Sequence, residues 1–367
     1  MKRYMLLFAA IVLVVALPAI IWWFKPEVPL NVVILDKTVP VNNYREHKAL
    51  MWLLNNLKYV NSKTGVAFSY DKDYYGFFPL ENKTYVIRKL PDDVHEADVI
   101  YVTDTYGVYS EDYFGENLKG NRSELIYGGL TTDEVSSIQS SLNNRNILIA
   151  EFNTLASPST DEARSRMEEL LGVKWTGWIG RYFDDLSSAN RELPLWLVHN
   201  YEQQYLVAWS FSGPGFAFIN KDDGVVILQM GKAAGERLNR IYFTPEALAH
   251  YKVKNGVEYS YWFDVVEAAQ DAEVLAEYHL DVTEEGAKIL KNSGLPNAFP
   301  AIVKRFGKYR TYYFAGDFAD NNNIQESWKV TVWRPKLGID ALVRQDKLYW
   351  QVYFPFMEKV LEEVRYK

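Results

Sequence analysis

Short continuous apolar runs alternate with helical apolar stripes through the first half of the chain. Residues 31–36 read as a strand that ends on Asp36, and Ala49, Leu50, Leu53, Leu54 and Leu57 then share one face of a helix. Residues 83–90 and 98–104 read as strands, the second ending on Asp104. Thr131, three places before Glu134, predicts a capping box, with Val135, Ile138 and Leu142 on one helical face. Residues 147–152 follow almost at once and predict a strand buried on both faces of a parallel sheet. Its end breaks the pattern, because Glu151 and Asn153 are polar. A second capping box, Ser159 to Glu162, opens a helix that carries Ala163, Met167, Leu170 and Leu171 inward and stops at Gly172.

After Lys174 the texture becomes β-rich. Residues 195–199, 206–210 and 224–230 read as short strands, 257–265 and 272–280 as longer ones, and 299–317 as a hairpin turning at Gly307. Short helices are predicted at 244–250 and 283–293. An amphipathic helix at 355–366 places Phe356, Met357, Val360, Leu361 and Val364 on one face. The fold class expected is α/β: a flavodoxin-like, mostly parallel sheet with helices on both faces, extended by antiparallel strands.

Lys2 and Arg3 precede an uncharged run over residues 4–24, closed by Trp22 and Trp23. About 20 apolar residues span a bilayer, so the run predicts an N-terminal transmembrane helix, with a cleaved signal peptide as the alternative. Positive charge held inside would place the rest of the chain outside the cytoplasm. The expected division is an anchor or signal peptide at 1–25, a linker at 26–30, and one α/β domain at 31–367 with a β-rich insertion around 195–265.

A net charge of -7 without a basic stripe argues against nucleic acid as a partner. The absence of cysteine excludes disulfides, thiolate metal sites and a cysteine nucleophile. Tyr and Trp number 26 and 11, enough for an aromatic core or for a sugar-stacking surface.

Several pieces resemble the class I glutamine amidotransferase-like superfamily, especially its β-galactosidase trimerisation-type and ThuA-like branches. They are Asp98-Val-Ile-Tyr-Val-Thr103, the helix after Gly128-Gly129, the strand at 147–152, Gly172-Val-Lys-Trp175, Pro300-Ala-Ile-Val303 and the stretch from Gly307 to Asp317. Together they bracket most of residues 31–320. The resemblance implies that the strand at 147–152 ends where amidotransferases carry their catalytic cysteine. Here Glu151 or a neighbour stands in that place, and a carboxylate is too weak a nucleophile for glutamine hydrolysis.

Ligands of open parallel sheets bind outside the carboxyl ends of the strands. Asp36, Asp104, Glu151 and Asp317 each end a predicted strand, either as helix caps or as convergent acids. Glu151 and Asp104 are the candidate acid–base pair for a glycosidic bond, with His47 assisting. Aromatic loops bring Tyr106, Trp175 and Trp178, with Asn153 and Arg181, as candidate ligand-binding residues alongside Asp36 and Asp317. The other histidines lack metal-ligand spacing and no phosphate-binding glycine loop is present, so neither metal nor cofactor is expected.

The function expected is a membrane-anchored, extracytoplasmic domain without glutaminase activity that binds, or assists in processing, a cell-envelope polysaccharide. The alternatives are a divergent, glycosidase-like hydrolase and a structural partner in a membrane assembly.

Overall fold

A computed structural model describes residues 19–115, 120, 122–321, 324 and 347–365, together with 4, 12, 13, 16 and 17. The first strands are β1 Val28–Leu30, β2 Val32–Asp36, β3 Tyr59–Asn61, β4 Tyr75–Pro79, β5 Tyr85–Arg88, β6 Val99–Asp104, β7 Val108–Tyr109, β8 Leu125–Tyr127 and β9 Ile147–Ala150. The later ones are β10 Val173–Phe183, β11 Gly215–Asn220, β12 Val225–Gln229, β13 Arg240–Phe243, β14 Val257–Glu258, β15 Phe263–Ala268, β16 Ala272–His279, β17 Ala298–Phe306 and β18 Arg310–Phe314. The helices are α1 Arg45–Asn56, α2 Ser110–Tyr113, α3 Thr132–Ser141, α4 Asp161–Leu171, α5 Leu195–Tyr205, α6 Pro245–Tyr251, α7 Glu284–Asn292 and α8 Phe354–Arg365.

Ten strands form one sheet in the order β14-β13-β16-β17-β18-β9-β6-β2-β4-β5. The ladders β18–β9, β9–β6, β6–β2 and β2–β4 are parallel. The ladders from β14 through β18, and β4–β5, are antiparallel. The sheet is therefore mixed, not mostly parallel as the alternation of elements suggests. A parallel block of five strands sits between antiparallel flanks. A second sheet, β12-β11-β10-β15, is antiparallel throughout.

Side-chain alternation along β18 shows what covers each face of the large sheet. Tyr312 bonds Glu363 of α8, and Phe314 packs on Phe356. Thr311 and Tyr313 point the other way, to the Leu170 carbonyl of α4 and to Asp264 of β15. Helices α1 and α8 share the first face, where Tyr349, just before α8, bonds the Ala49 carbonyl and Trp52 meets Trp350.

Two local expectations are corrected. Residues 195–199, expected as a strand, form α5, and 206–210 is not a strand. Helix α4 is capped by Thr160, whose hydroxyl accepts the Ala163 amide, and not by Ser159. The box at Thr131 and Glu134 is present in full, and Gly172 ends α4 in the left-handed conformation at φ 69°.

The membrane expectation is also corrected. No helix among the described residues is long and apolar enough to cross a membrane. Of the expected span, residues 5–11, 14, 15 and 18 lie outside the described residues. Trp22, read as an interfacial residue, instead docks on the body. Its Nε1 donates to the Asn56 carbonyl at 2.8 Å, and the Lys58 ammonium lies 3.9 Å from its ring centroid. The single-pass localisation with the domain outside the cytoplasm loses its basis with that helix.

Candidate functional site

The parallel block delivers its acids to one edge. Asp36 and Asp104 are register partners at the ends of β2 and β6, and Glu151 directly follows β9. Asp317 lies three residues beyond β18. The approach of β4 to this edge depends on Gly76, at φ 137°, where a Cβ would lie 1.6 Å from the Asp36 carbonyl oxygen.

Asp36 and Asp104 are joined through Thr38. Its amide donates to Asp36 Oδ1 at 2.9 Å and its hydroxyl to Asp104 Oδ1 at 2.6 Å. Asp36 Oδ2 lies 2.5 Å from His47 Nδ1. His47 Nε2 lies 2.7 Å from the Tyr70 carbonyl, which can only accept, so that nitrogen donates. Both ring nitrogens of His47 are thus engaged.

Asp104 also accepts from the Tyr106 amide at 2.6 Å and from Asn153 Nδ2 at 3.1 Å. Asn153 adopts φ 64° at the turn after β9. Burial pushes the Asp104 carboxyl up to about 7 against these donors. Glu151 Oε2 accepts the amides of Phe318 and Ala319 at 2.9 and 3.0 Å, and Tyr101 donates to Oε1. Burial pushes Glu151 up to about 8.

Four further groups complete the edge, none of them singled out by sequence pattern. Glu46 on α1 and Asp320 after β18 are bridged by Arg45, with Nε 2.8 Å from Glu46 Oε1 and Nη2 3.0 Å from Asp320 Oδ2. Arg45 also donates to the Tyr261 hydroxyl. Burial, and then the charge of Asp320, hold Glu46 well above the usual carboxylate range; burial, and then Glu46, do the same for Asp317.

Two guanidinium groups lie over the Tyr261 ring, with Arg45 Cζ at 5.6 Å and Arg181 Cζ at 5.0 Å from its centroid. Arg181 also lies 5.7 Å from the Trp262 ring and pairs with Glu192.

Of the residues expected to form a site, Asp36, His47, Asp104, Glu151, Asn153, Asp317 and Arg181 gather here. Tyr106 contributes its amide, while its half-exposed ring turns to Tyr109 at 4.9 Å. Trp175 and Trp178 do not join them. They lie roughly 20 and 10 Å back along β10 at about 3.3 Å per residue, where Trp175 Nε1 donates to the Trp178 carbonyl. Tyr74, Phe77 and Phe78, in another aromatic stretch, are buried core. A cavity of about 1070 Å³, lined by Ile20, Phe24, Leu57, Val253, Trp350 and Phe354, opens at the far end of α1 from Glu46.

No protein-family model matches the chain, and no curated protein matches it by sequence. Among solved structures it is similar to a β-galactosidase from Bacillus circulans sp. alkalophilus, with 10% identity and a TM-score of 0.34 over 79% of this chain and 30% of that one. A protein from Bacteroides uniformis described as ThuA-like aligns at 9% identity and a TM-score of 0.34, over 83% of this chain and 89% of that one. A cytoplasmic protein from Salmonella typhimurium LT2 aligns at 13% and 0.35, over 92% and 99%. The chain spans about a third of the β-galactosidases it aligns with. No family match stands behind the amidotransferase-like resemblance.

Proposed function

We propose that the carboxyl edge of the parallel block binds a carbohydrate. The observation that carries this reading is the convergence of Arg45 and Arg181 on Tyr261 beside Glu46, Asp317 and Asp320. A polyhydroxylated ligand needs donors, acceptors and an aromatic surface in one place, and this corner of the edge offers all three. Carboxyl groups accept from sugar hydroxyls, and a protonated one also donates to sugar oxygens. The test is an array of polysaccharides and oligosaccharides probed with the purified chain. Binding that Tyr261→Ala and Arg181→Ala each weaken is expected, and binding to no glycan would overturn the reading.

Glycoside hydrolysis is a second reading, favoured by the raised Asp104 and Glu151, which hold protons in the range a general acid needs. All their carboxyl oxygens, however, already accept internal hydrogen bonds. Turnover of any glycan by the parent that Glu151→Gln leaves unchanged would reject Glu151 as the acid.

A further inference from the structure

Glu46 lies in the first turn of α1, Asp317 and Asp320 follow β18, and one oxygen from each falls within 4.8 Å of the other two. Acidic residues gather on many proteins without a ligand. What distinguishes this group is Asp317. Asp36 and Asp104 accept from Thr38, Glu151 from Tyr101 and two amides, Asp264 from Tyr313, and Glu46 and Asp320 from Arg45. Asp317 is only 6% exposed as a residue, and its carboxylate accepts a hydrogen bond from no described residue. One of its oxygens lies within 4.8 Å of an oxygen of Glu46 and of one of Asp320.

The charge there is also incomplete. Arg45 pairs with Glu46 and Asp320 and the charge of Arg181 also reaches Asp320, so two guanidinium groups face three carboxylates and one negative charge is left over when all three are ionised. Burying carboxylates without compensation costs several kcal/mol per ion, and a divalent cation removes that cost.

We propose that Glu46, Asp317 and Asp320 bind a divalent cation, and that calcium fits better than magnesium. Calcium takes oxygens at about 2.3–2.6 Å, so two of its ligands can stand about 4.6–5.2 Å apart, which covers the span of this trio. Magnesium holds its oxygens at about 2.0–2.1 Å in near-ideal octahedral geometry and gives up its waters reluctantly, which suits it less to an all-protein carboxylate trio. Arg45 engages Oε1 of Glu46 and Oδ2 of Asp320, and Tyr261 also hydrogen-bonds Asp320, which leaves Glu46 Oε2 and the Asp317 carboxylate for the ion. The inference does not depend on the carbohydrate reading, because calcium alone is the probe.

The experiment strips the purified full chain with a chelator, then titrates it with calcium chloride and separately with magnesium chloride. Calorimetry and thermal unfolding are the readouts. Saturable calcium binding at one ion per chain, a rise in Tm and a weaker magnesium effect are expected. Asp317→Asn should abolish calcium binding yet leave the calcium-free Tm equal to or above the parent's, since it removes a buried charge that has no partner. Asp320→Asn carries the same expectation for binding and serves if the first variant does not fold. No calcium-dependent heat or Tm change in the parent, or undiminished binding in these variants, would overturn the proposal.

Discussion

Glu151 Oε2 accepts the amide of Phe318 at 2.9 Å across 167 residues of sequence, and the Ala319 amide at 3.0 Å beside it. This one carboxyl oxygen holds the start of the segment that carries Asp317 and Asp320. Glu151→Ala would leave the buried Ala319 amide without an acceptor and the Phe318 amide with only the Gly316 carbonyl at 3.1 Å, so a loss of about 1–3 kcal/mol for the orphaned amide, plus the lost packing, is expected. Glu151→Gln keeps an oxygen for the amides, its Nε2 can donate to the Tyr101 hydroxyl oxygen, and it should cost about 1 kcal/mol. Urea unfolding of both variants checks the ranking. Equal losses would show that the amides do not depend on this acceptor.

Buried acids with raised pKa values make stability fall as pH rises. Asp264 on β15 is fully buried, and burial pushes its carboxyl up to about 7, while in the unfolded chain it titrates near 4. Between those values the folded form binds more protons than the unfolded form, so its contribution to stability declines from about pH 4 to 7 and is flat beyond. Glu151, pushed up to about 8, extends the decline by one unit. Asp264→Asn should remove its share of the slope, on the order of a few kcal/mol across the window. Urea midpoints from pH 4.5 to 9 measure this, and a parent–variant difference that does not change with pH would refute it.

Asp36, Asp104 and Glu151 were legible in the sequence because each closes an apolar run, and strand ends in a parallel block share an edge. Glu46, Asp320 and Tyr261 were not, since they come from a helix start and from two loops more than 200 residues further along the chain, and periodicity carries no information about such pairings. Strand direction is equally invisible to an apolar pattern, which is why a mostly parallel sheet with an antiparallel extension was expected where the sheet is mixed. In α5 the cluster Leu195-Trp-Leu-Val198 reads as strand. Pro194 sets its extended N-cap, and Leu197, Val198 and Tyr201 fall on the face that meets the second sheet and its loops, so helical packing prevails.

Gly76 controls whether the edge can form at all. Its φ of 137° is open to glycine alone, and a Cβ there would collide with the Asp36 carbonyl, a backbone atom with no freedom to retreat. Gly76→Ala should displace β4 from β2 and lower stability by about 3 kcal/mol or more. Circular dichroism and urea unfolding read this out, and a variant within 1 kcal/mol of the parent would show that the strand pair yields more readily than a 1.6 Å approach allows.

Ser159 and Thr160 are neighbours with different tasks. Thr160 caps α4 at the surface through the Ala163 amide at 3.2 Å, and loss of such a cap costs about 1 kcal/mol. The Ser159 hydroxyl is buried, accepts the Leu130 amide at 2.9 Å and donates to the Thr154 carbonyl at 3.1 Å. It thereby ties the turn after β9 to the residue before the α3 cap. Ser159→Ala would strand a donor and an acceptor in the interior, at about 2–4 kcal/mol for the two. The larger loss should therefore fall on Ser159, although the sequence pattern makes it the cap. Thermal unfolding of the two alanine variants decides the matter: a greater loss for Thr160→Ala would mean that the cap, and not the buried bridge, holds this corner of the sheet edge.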